Sequence, residues 1–192
     1  MSQTTVVLDP CGDKSSKVHQ LARRPRTLHD VQLGLLDNLK PNATHVLDRA
    51  TTLLTERFEL QSITRLSKRN PTAPASTEVY AELEKLDLVL LAVADCGGCT
   101  AWTVHDAVEL ERRGVPTVTF VSRMFLAMAE SHAKLRGLDV LPVVKVPDPF
   151  GQFSAEEVAD VIDSVLGELI RSATGAGDPS RVSAETAVSS PS

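Results

Sequence analysis

Long apolar runs are missing from this chain. No stretch of about 18 consecutive apolar residues occurs, so a bilayer-spanning helix is not expected. The opening MSQTTVVLDP has neither a basic start nor an apolar segment of export-signal length, so an export leader is not expected either. Positive charge is not in surplus. The 20 Lys and Arg stand against 25 Asp and Glu, a net −5, which argues against the broad basic surface that nucleic-acid binding needs. The local cluster Arg23, Arg24 and Arg26 is read as a solvated segment. Cysteine is sparse and odd in number, at 3, which without a leader points to a reducing cytoplasm. No G-x-G-x-x-G follows a strand, and neither a haem nor a flavin signature is found, so no cofactor is expected. A second CxxC and a closely spaced His pair are also lacking, which leaves a zinc site short of ligands.

What is present is a globular composition, 42% hydrophobic and 23% charged, in a chain of 192 residues that suits one domain rather than two. Residues 1–171 read as that domain. Residues 172–192 are small, polar and without apolar period, and read as a tail without fixed structure. The stretch RNPTAPAS, residues 69–76, reads as a proline-punctuated connection. No internal repeat is present.

Between these segments the pattern alternates. Short apolar runs at Val31–Leu36, Leu60–Leu66, Asp87–Ala94, Val115–Val121 and Leu141–Val146 read as strands, and Val6–Leu8 as an N-terminal addition. Helices are expected over Ala43–Phe58, Thr77–Leu86, Thr100–Arg113, Met124–Leu135 and Ser154–Ile170, the last opened by a capping box of Ser154 and Glu157. Near-continuous apolar strands separated by amphipathic helices require a mostly parallel sheet covered on both faces. The expected fold is a three-layer, doubly wound α/β domain of Rossmann-like or flavodoxin-like type, with its ligand site at the carboxyl ends of the strands.

The strongest strand runs into Ala94-Asp95-Cys96-Gly97-Gly98-Cys99-Thr100, followed by a helix. A thiol at a helix N-terminus meets unpaired N–H groups and the positive end of the helix dipole, both of which favour thiolate. Gly97 and Gly98 let the backbone turn tightly and approach a ligand, and two intervening residues permit disulfide closure. Three readings stay open: thiol chemistry at Cys96 and Cys99, a soft-metal site completed by Cys11, and a structural or anion-binding turn. A thioredoxin reading based on Val115-Pro116-Thr117 fails on spacing, since only one helix separates CxxC from that proline.

Neighbouring loops add candidates. Asn38 and Lys40 follow the first long strand and, with Gly97, Gly98, Thr100 and Arg123, are candidate substrate contacts. Asn42 is a candidate helix N-cap and Thr100 another. Asp95, beside Cys96, is a candidate proton donor. His105 is a candidate base that shares a helix face with Trp102, although it lies about 9 Å along the axis from Cys99. Asp106 is read as a solvated or capping carboxylate, and His19, His29, His45 and His132 have no constellation around them.

The blocks DCGGCTAWTVHDAVELERRGVPTV, LGLLDNLKPNA and VVLDP resemble the UGSC family of selenoproteins and their cysteine variants. In that family selenocysteine-Gly-Ser-Cys precedes a helix carrying Val-His-Asp-Ala-Val. The resemblance covers most of residues 5–150, putting Cys96 on the selenocysteine position and Cys99 on the family cysteine. Gly98 stands where Ser is typical, and Cys11 where Thr usually follows Asp-Pro. The resemblance implies redox or nucleophilic chalcogen chemistry. A similar pair in the substrate-cleaving subunits of glycine and proline reductases makes reductive cleavage the natural analogy.

The leading expectation is a cytoplasmic thiol-dependent enzyme in which Cys96 attacks a small anionic substrate and Cys99 resolves the adduct, with an external thiol as reductant. The alternatives are a soft-metal-binding or sensing protein and a non-catalytic partner subunit of a reductase. Homo- or hetero-oligomers fit any of these. Neither nucleic acid nor membrane is an expected partner, and no resident metal is assigned.

Overall fold

The computed structural model describes residues 18–175. Within them five strands, β1 (Gln32–Asp37), β2 (Ser62–Ser67), β3 (Leu88–Ala94), β4 (Thr117–Ser122) and β5 (Val143–Val146), form one sheet. Its order is β2-β1-β3-β4-β5, and every neighbouring pair is parallel. Helices α1 (Ala43–Arg57), α2 (Thr77–Leu83), α3 (Gly97–Arg112), α4 (Leu126–Leu135) and α5 (Ala155–Thr174) alternate with the strands.

Period-2 alternation divides the core. Leu33, Leu35, Leu88, Leu90, Val118, Phe120, Val144 and Val146 pack on one face with α1 and α5. Leu36, Val89, Leu91 and Val121 turn to the other face and pack with α2, α3 and α4. All seven residues of β3 are buried, as a central strand covered on both sides must be. This is the expected three-layer, doubly wound α/β architecture.

Several boundaries differ from the sequence expectation for local reasons. α2 ends at Leu83, because the Lys85 and Leu86 amides turn back to the Glu82 and Leu83 carbonyls at 3.3 and 3.1 Å. α3 begins at Gly97 rather than Thr100, since Cys96 occupies the capping position. α5 continues to Thr174, past the expected end at Ile170, so residues 172–174 of the stretch 172–192 read as a tail are helical, with Gly175 in the left-handed region as the cap. Its capping box is present, with both Ser154–Glu157 hydrogen bonds made. Val6–Leu8, Cys11 and the tail beyond Gly175 lie outside the described residues.

The reading of the arginine cluster as solvated is corrected at Arg24, which is 5% exposed. Its guanidinium forks onto Glu111 near the end of α3, at 2.8 and 3.1 Å. Glu111 also accepts from the Ala22 amide at 2.8 Å and from the Thr117 amide and hydroxyl, both at 2.7 Å. One carboxylate thus ties the segment before β1 and the start of β4 to α3, at the amino edge of the sheet. Among the described residues no helix is long and apolar enough to cross a membrane.

Candidate functional site

The strand order makes β1 and β3 neighbours whose chains leave in opposite directions. β1 feeds α1 on one face and β3 feeds α3 on the other. The loops that follow them therefore diverge and open a crevice at the carboxyl edge, where open α/β sheets bind ligands. Cys96 and Cys99 lie there, at the start of α3.

Asn38 splices the two strands. Its Nδ2 donates to the Val93 carbonyl at 2.8 Å and to Thr103 Oγ1 at 3.0 Å. Its Oδ1 accepts the Val93 amide at 3.1 Å and the Lys40 amide at 3.2 Å. The β1–β3 ladder ends at the Asp37–Ala92 pair, and the Asn38 side chain carries the pairing one residue further, to Val93. All its donors and acceptors are used and it is 1% exposed, so Asn38 is a structural residue and not the expected substrate contact.

Cys96 has extended backbone (φ −154°, ψ 165°), and its Sγ accepts the Cys99 amide at 3.2 Å. A sulfur thus does what a Ser or Asp oxygen does in an ordinary N-cap. The N-cap expected at Thr100 is corrected by the same contact. The Thr100 amide already makes the first helical bond, to the Cys96 carbonyl at 2.9 Å, and its hydroxyl is buried with no partner among the described residues.

Cys99 is fully buried. Its Sγ accepts the Asp95 amide at 3.4 Å, lies 3.3 Å from the Cys96 carbonyl and 2.6 Å from Cys96 Sγ. Both cysteines are free thiols. Burial, followed by the hydrogen bond with Cys96, pushes the Cys99 thiol up to about 11. Cys96 keeps part of its surface open. The pair therefore has an outer cysteine that is partly exposed and a buried inner one held protonated. Gly98 faces the 69–76 connection, where a Cβ would come within 3.0 Å of Thr72 Cγ2.

Asp95 is half-buried, and burial raises its carboxyl above the ordinary range. Lys40 opposes that rise, Asp148 adds to it, and a hydrogen bond from the Gly151 backbone opposes it. Lys40 is also half-buried, and its charge acts on both Asp95 and Cys99. It thus stands close enough to this edge for its charge to be felt by both groups. Gly97 borders Met128 at 4.0 Å, measured from the place a Cβ would take. Arg123 is exposed in the 3-10 turn Arg123–Phe125 after β4, at the same edge of the sheet.

His105 and Trp102 share a face as expected, in an edge contact with centroids 5.3 Å apart. The ring nitrogen Nδ1 accepts Arg136 Nε at 3.4 Å, and Arg136 also lies 3.2 Å from His132 Nδ1. This arrangement belongs to the α3–α4 seam, so His132 does have neighbours. Asp106, expected to be solvated, is 0% exposed. It accepts Lys68 Nζ at 2.5 Å, the Tyr80 hydroxyl at 2.6 Å and the Ala75 amide at 2.9 Å. Asp106 therefore clamps the 69–76 connection and α2 onto α3.

Two residues that sequence reasoning missed come from the segment after β5. Asp148 accepts Ser122 Oγ at 2.6 Å and the Met124 amide at 3.0 Å. Gly151 approaches Asp95 so closely that a Cβ would lie 3.0 Å from Oδ2. The only local signal was the turn-rich PDPFGQ between a strand and a capping box. The expected cap Asn42 is at the N-cap of α1 but makes no side-chain cap. Its amide donates instead to the carbonyls of Phe150 and Phe153, at 2.8 and 2.9 Å. Among the described residues no group of three His, Cys, Asp or Glu side chains can hold a metal ion, and Cys11 lies outside them.

The sequence profile of the UGSC family matches residues 6–175. No curated protein matches the chain. Solved structures similar to it include the apo translation elongation factor SelB from Methanococcus maripaludis, at 12% identity and TM-score 0.42, covering 73% of this chain and 34% of that one. A mutant flavo di-iron protein from Thermotoga maritima matches at 13% identity and TM-score 0.44, over 74% of this chain and 36% of that one. A short-chain flavodoxin associated with a non-canonical PDU bacterial microcompartment matches at 14% identity and TM-score 0.36, over 74% of this chain and 97% of that one. The chain spans about a third of the length of the SelB and flavo di-iron chains.

Proposed function

The chain belongs to the UGSC family, and from that premise we propose that it is a thiol-dependent enzyme that reductively cleaves a weak bond in a small anionic substrate. The observation that carries the reading is the sulfur pair. Cys96 is a partly exposed residue whose Sγ caps α3, and the Sγ of the buried Cys99 lies 2.6 Å from it. A disulfide needs sulfurs about 2.05 Å apart, so closing this one takes little movement.

In the proposed cycle the Cys96 thiolate attacks atom X of an X–Y bond between heteroatoms. An S–X bond forms, and Y leaves with the bonding pair and takes the proton of Asp95. The Asp95 carboxylate then accepts the Cys99 proton. Cys99 attacks Cys96 Sγ, the disulfide forms, and X leaves with its electron pair and that same proton. The substrate gains two electrons and two protons. An external dithiol reduces the disulfide, restoring the Cys96 thiolate and the protons on Cys99 and Asp95. Lys40 supplies the positive charge that orients an anionic substrate. The half-buried Asp95, whose carboxyl holds its proton to higher pH than usual, supports the role given to it. The buried Cys99 thiol, raised to about 11, suits a resolving sulfur that stays protonated until the adduct has formed.

The test is the labelling of reduced protein with iodoacetamide, read by peptide mass at each cysteine. At pH 7.5 Cys96 labels at least about tenfold faster than Cys99, and Cys99→Ser traps a mixed disulfide on Cys96 with a small disulfide probe. Equal, slow labelling of both sulfurs overturns the proposal.

A further inference from the structure

The segment between β5 and α5 is pinned from two sides. Asp148 fastens it to the end of β4 through Ser122 Oγ at 2.6 Å and the Met124 amide at 3.0 Å. Asn42 fastens it to the start of α1 through the Phe150 and Phe153 carbonyls at 2.8 and 2.9 Å. Between the two anchors Gly151 meets Asp95, and the place its Cβ would take is 3.0 Å from Asp95 Oδ2 and 3.9 Å from Pro41 Cβ. Loops following β1, β3 and β5 therefore converge on one carboxyl group beside Cys96.

We propose that Asp148 is a positioning residue of the thiol site: it locks residues 147–153 so that Gly151 closes on Asp95 and holds that carboxyl beside Cys96. The inference rests on the thiol reading above and adds the device that sets its acid. Both Asp148 oxygens accept hydrogen bonds, so its charge is fixed in place. The Asp95 carboxyl is faced by Lys40 from the β1–α1 loop and by Asp148 and the Gly151 amide from the β5–α5 loop, while the Asp95 backbone amide donates to Cys99 Sγ. One cation, one fixed anion and one amide thus surround a half-buried carboxyl, and Asp148 acts against its ionisation. A Cβ at Gly151 would come 3.0 Å from Asp95 Oδ2, so a side chain there presses the carboxyl to shift by a few tenths of an ångström.

The experiment follows the carboxyl carbon resonance of Asp95 through a pH titration of the full chain, assigned with Asp95→Asn. It is run in the wild type, Asp148→Asn, Gly151→Ala and Ser122→Ala, with a thermal melt and Cys96 labelling on each sample. The Asp95 midpoint falls in Asp148→Asn and moves toward the ordinary carboxylate range in Gly151→Ala, while both proteins melt cooperatively. Ser122→Ala, which keeps every charge and loses one anchor, shifts it by less. If Asp148→Asn does not fold, Gly151→Ala and Ser122→Ala carry the same test. An unmoved midpoint in the folded variants overturns the inference. Cys96 labelling no faster than Cys99 in the wild type overturns the thiol reading instead, whatever the midpoint does.

Discussion

Two carboxylates at opposite edges of the same sheet show what separates a clamp from an acid with room left to act. At the amino edge Glu111 gathers five hydrogen bonds, from the Arg24 fork, the Ala22 amide and the amide and hydroxyl of Thr117, and is 2% exposed. At the carboxyl edge Asp95 is half-buried, with one backbone hydrogen bond from Gly151 and the field of Lys40 set against burial and Asp148. Glu111 has no capacity left for anything that arrives. Among the described residues Asp95 keeps spare acceptor positions, has an elevated hold on its proton, and sits next to Cys96 in the chain. Asp106 falls with Glu111, its oxygens taken by Lys68, Tyr80 and Ala75. Satisfaction, rather than burial alone, marks which acids are structural.

The sharpest way to break this contrast is a pair of isosteric changes. Glu111→Gln removes the carboxylate that takes the Arg24 fork and turns an amide donor toward other donors, so it costs about 3–5 kcal/mol in urea unfolding. Asp95→Asn removes no comparable network and costs less than about 1 kcal/mol. The effects on Cys96 run the other way. In Asp95→Asn labelling quickens at pH values where the wild-type Asp95 is ionised, because an anion beside the sulfur is gone, while folded Glu111→Gln labels like the wild type. Comparable stability losses in the two variants would end the distinction.

How much of this was legible in the sequence follows from the range of the interactions. The run Leu88–Ala94 and the capping box at Ser154 are local patterns, and both are found where they were expected. The sulfur pair was legible too, because the strongest strand ends on it. The start of α3 was misread because two glycines are poor helix formers, and nothing in the residue order says that a thiol takes the capping role. The burial of Arg24 and Asp106 was illegible for a different reason. Their partners Glu111 and Lys68 are 87 and 38 residues away, so the charges look solvated until the fold pairs them. Asp148 and Gly151 reach Asp95 only because β4 and β5 are laid beside β3 in the observed order. Asn38 was found as a residue and read as a substrate contact, since its partner Val93 lies 55 residues away on a strand that only the fold lays beside it.

A smaller effect sharpens the comparison at Lys40, whose charge reaches both Asp95 and Cys99. Iodoacetate and iodoacetamide differ by one negative charge, so their rate ratio at Cys96 reads the local field. Lys40→Gln lowers that ratio by about threefold to tenfold at low ionic strength, and the difference shrinks in 0.5 M salt, where the screening length is only about 4 Å. Glu111→Gln, at the far edge, leaves the ratio unchanged. A ratio that ignores Lys40 would remove it from the site.

The smallest effect belongs to His105, the histidine nearest the sulfur pair along α3, and it decides whether the proposed acid Asp95 has a partner. The ring rests on Trp102 and accepts Arg136 Nε. Burial lowers its proton affinity, Asp106 and Glu109 oppose that, and Arg136 and Lys68 add to it. The sign of the linkage follows. The folded protein binds this proton less readily than the unfolded chain, whose imidazole titrates near about 6.5. Stability contributed by the neutral ring is complete above that value and is lost as pH falls through it. His105→Gln therefore makes the drop in melting temperature between pH 7.5 and pH 5 shallower, by a few degrees at most. It leaves the pH profile of Cys96 labelling unchanged, because the ring is committed to the α3–α4 seam. A labelling profile that loses a limb near neutral pH in His105→Gln would make the imidazole a member of the thiol site and Asp95 one of two proton carriers there.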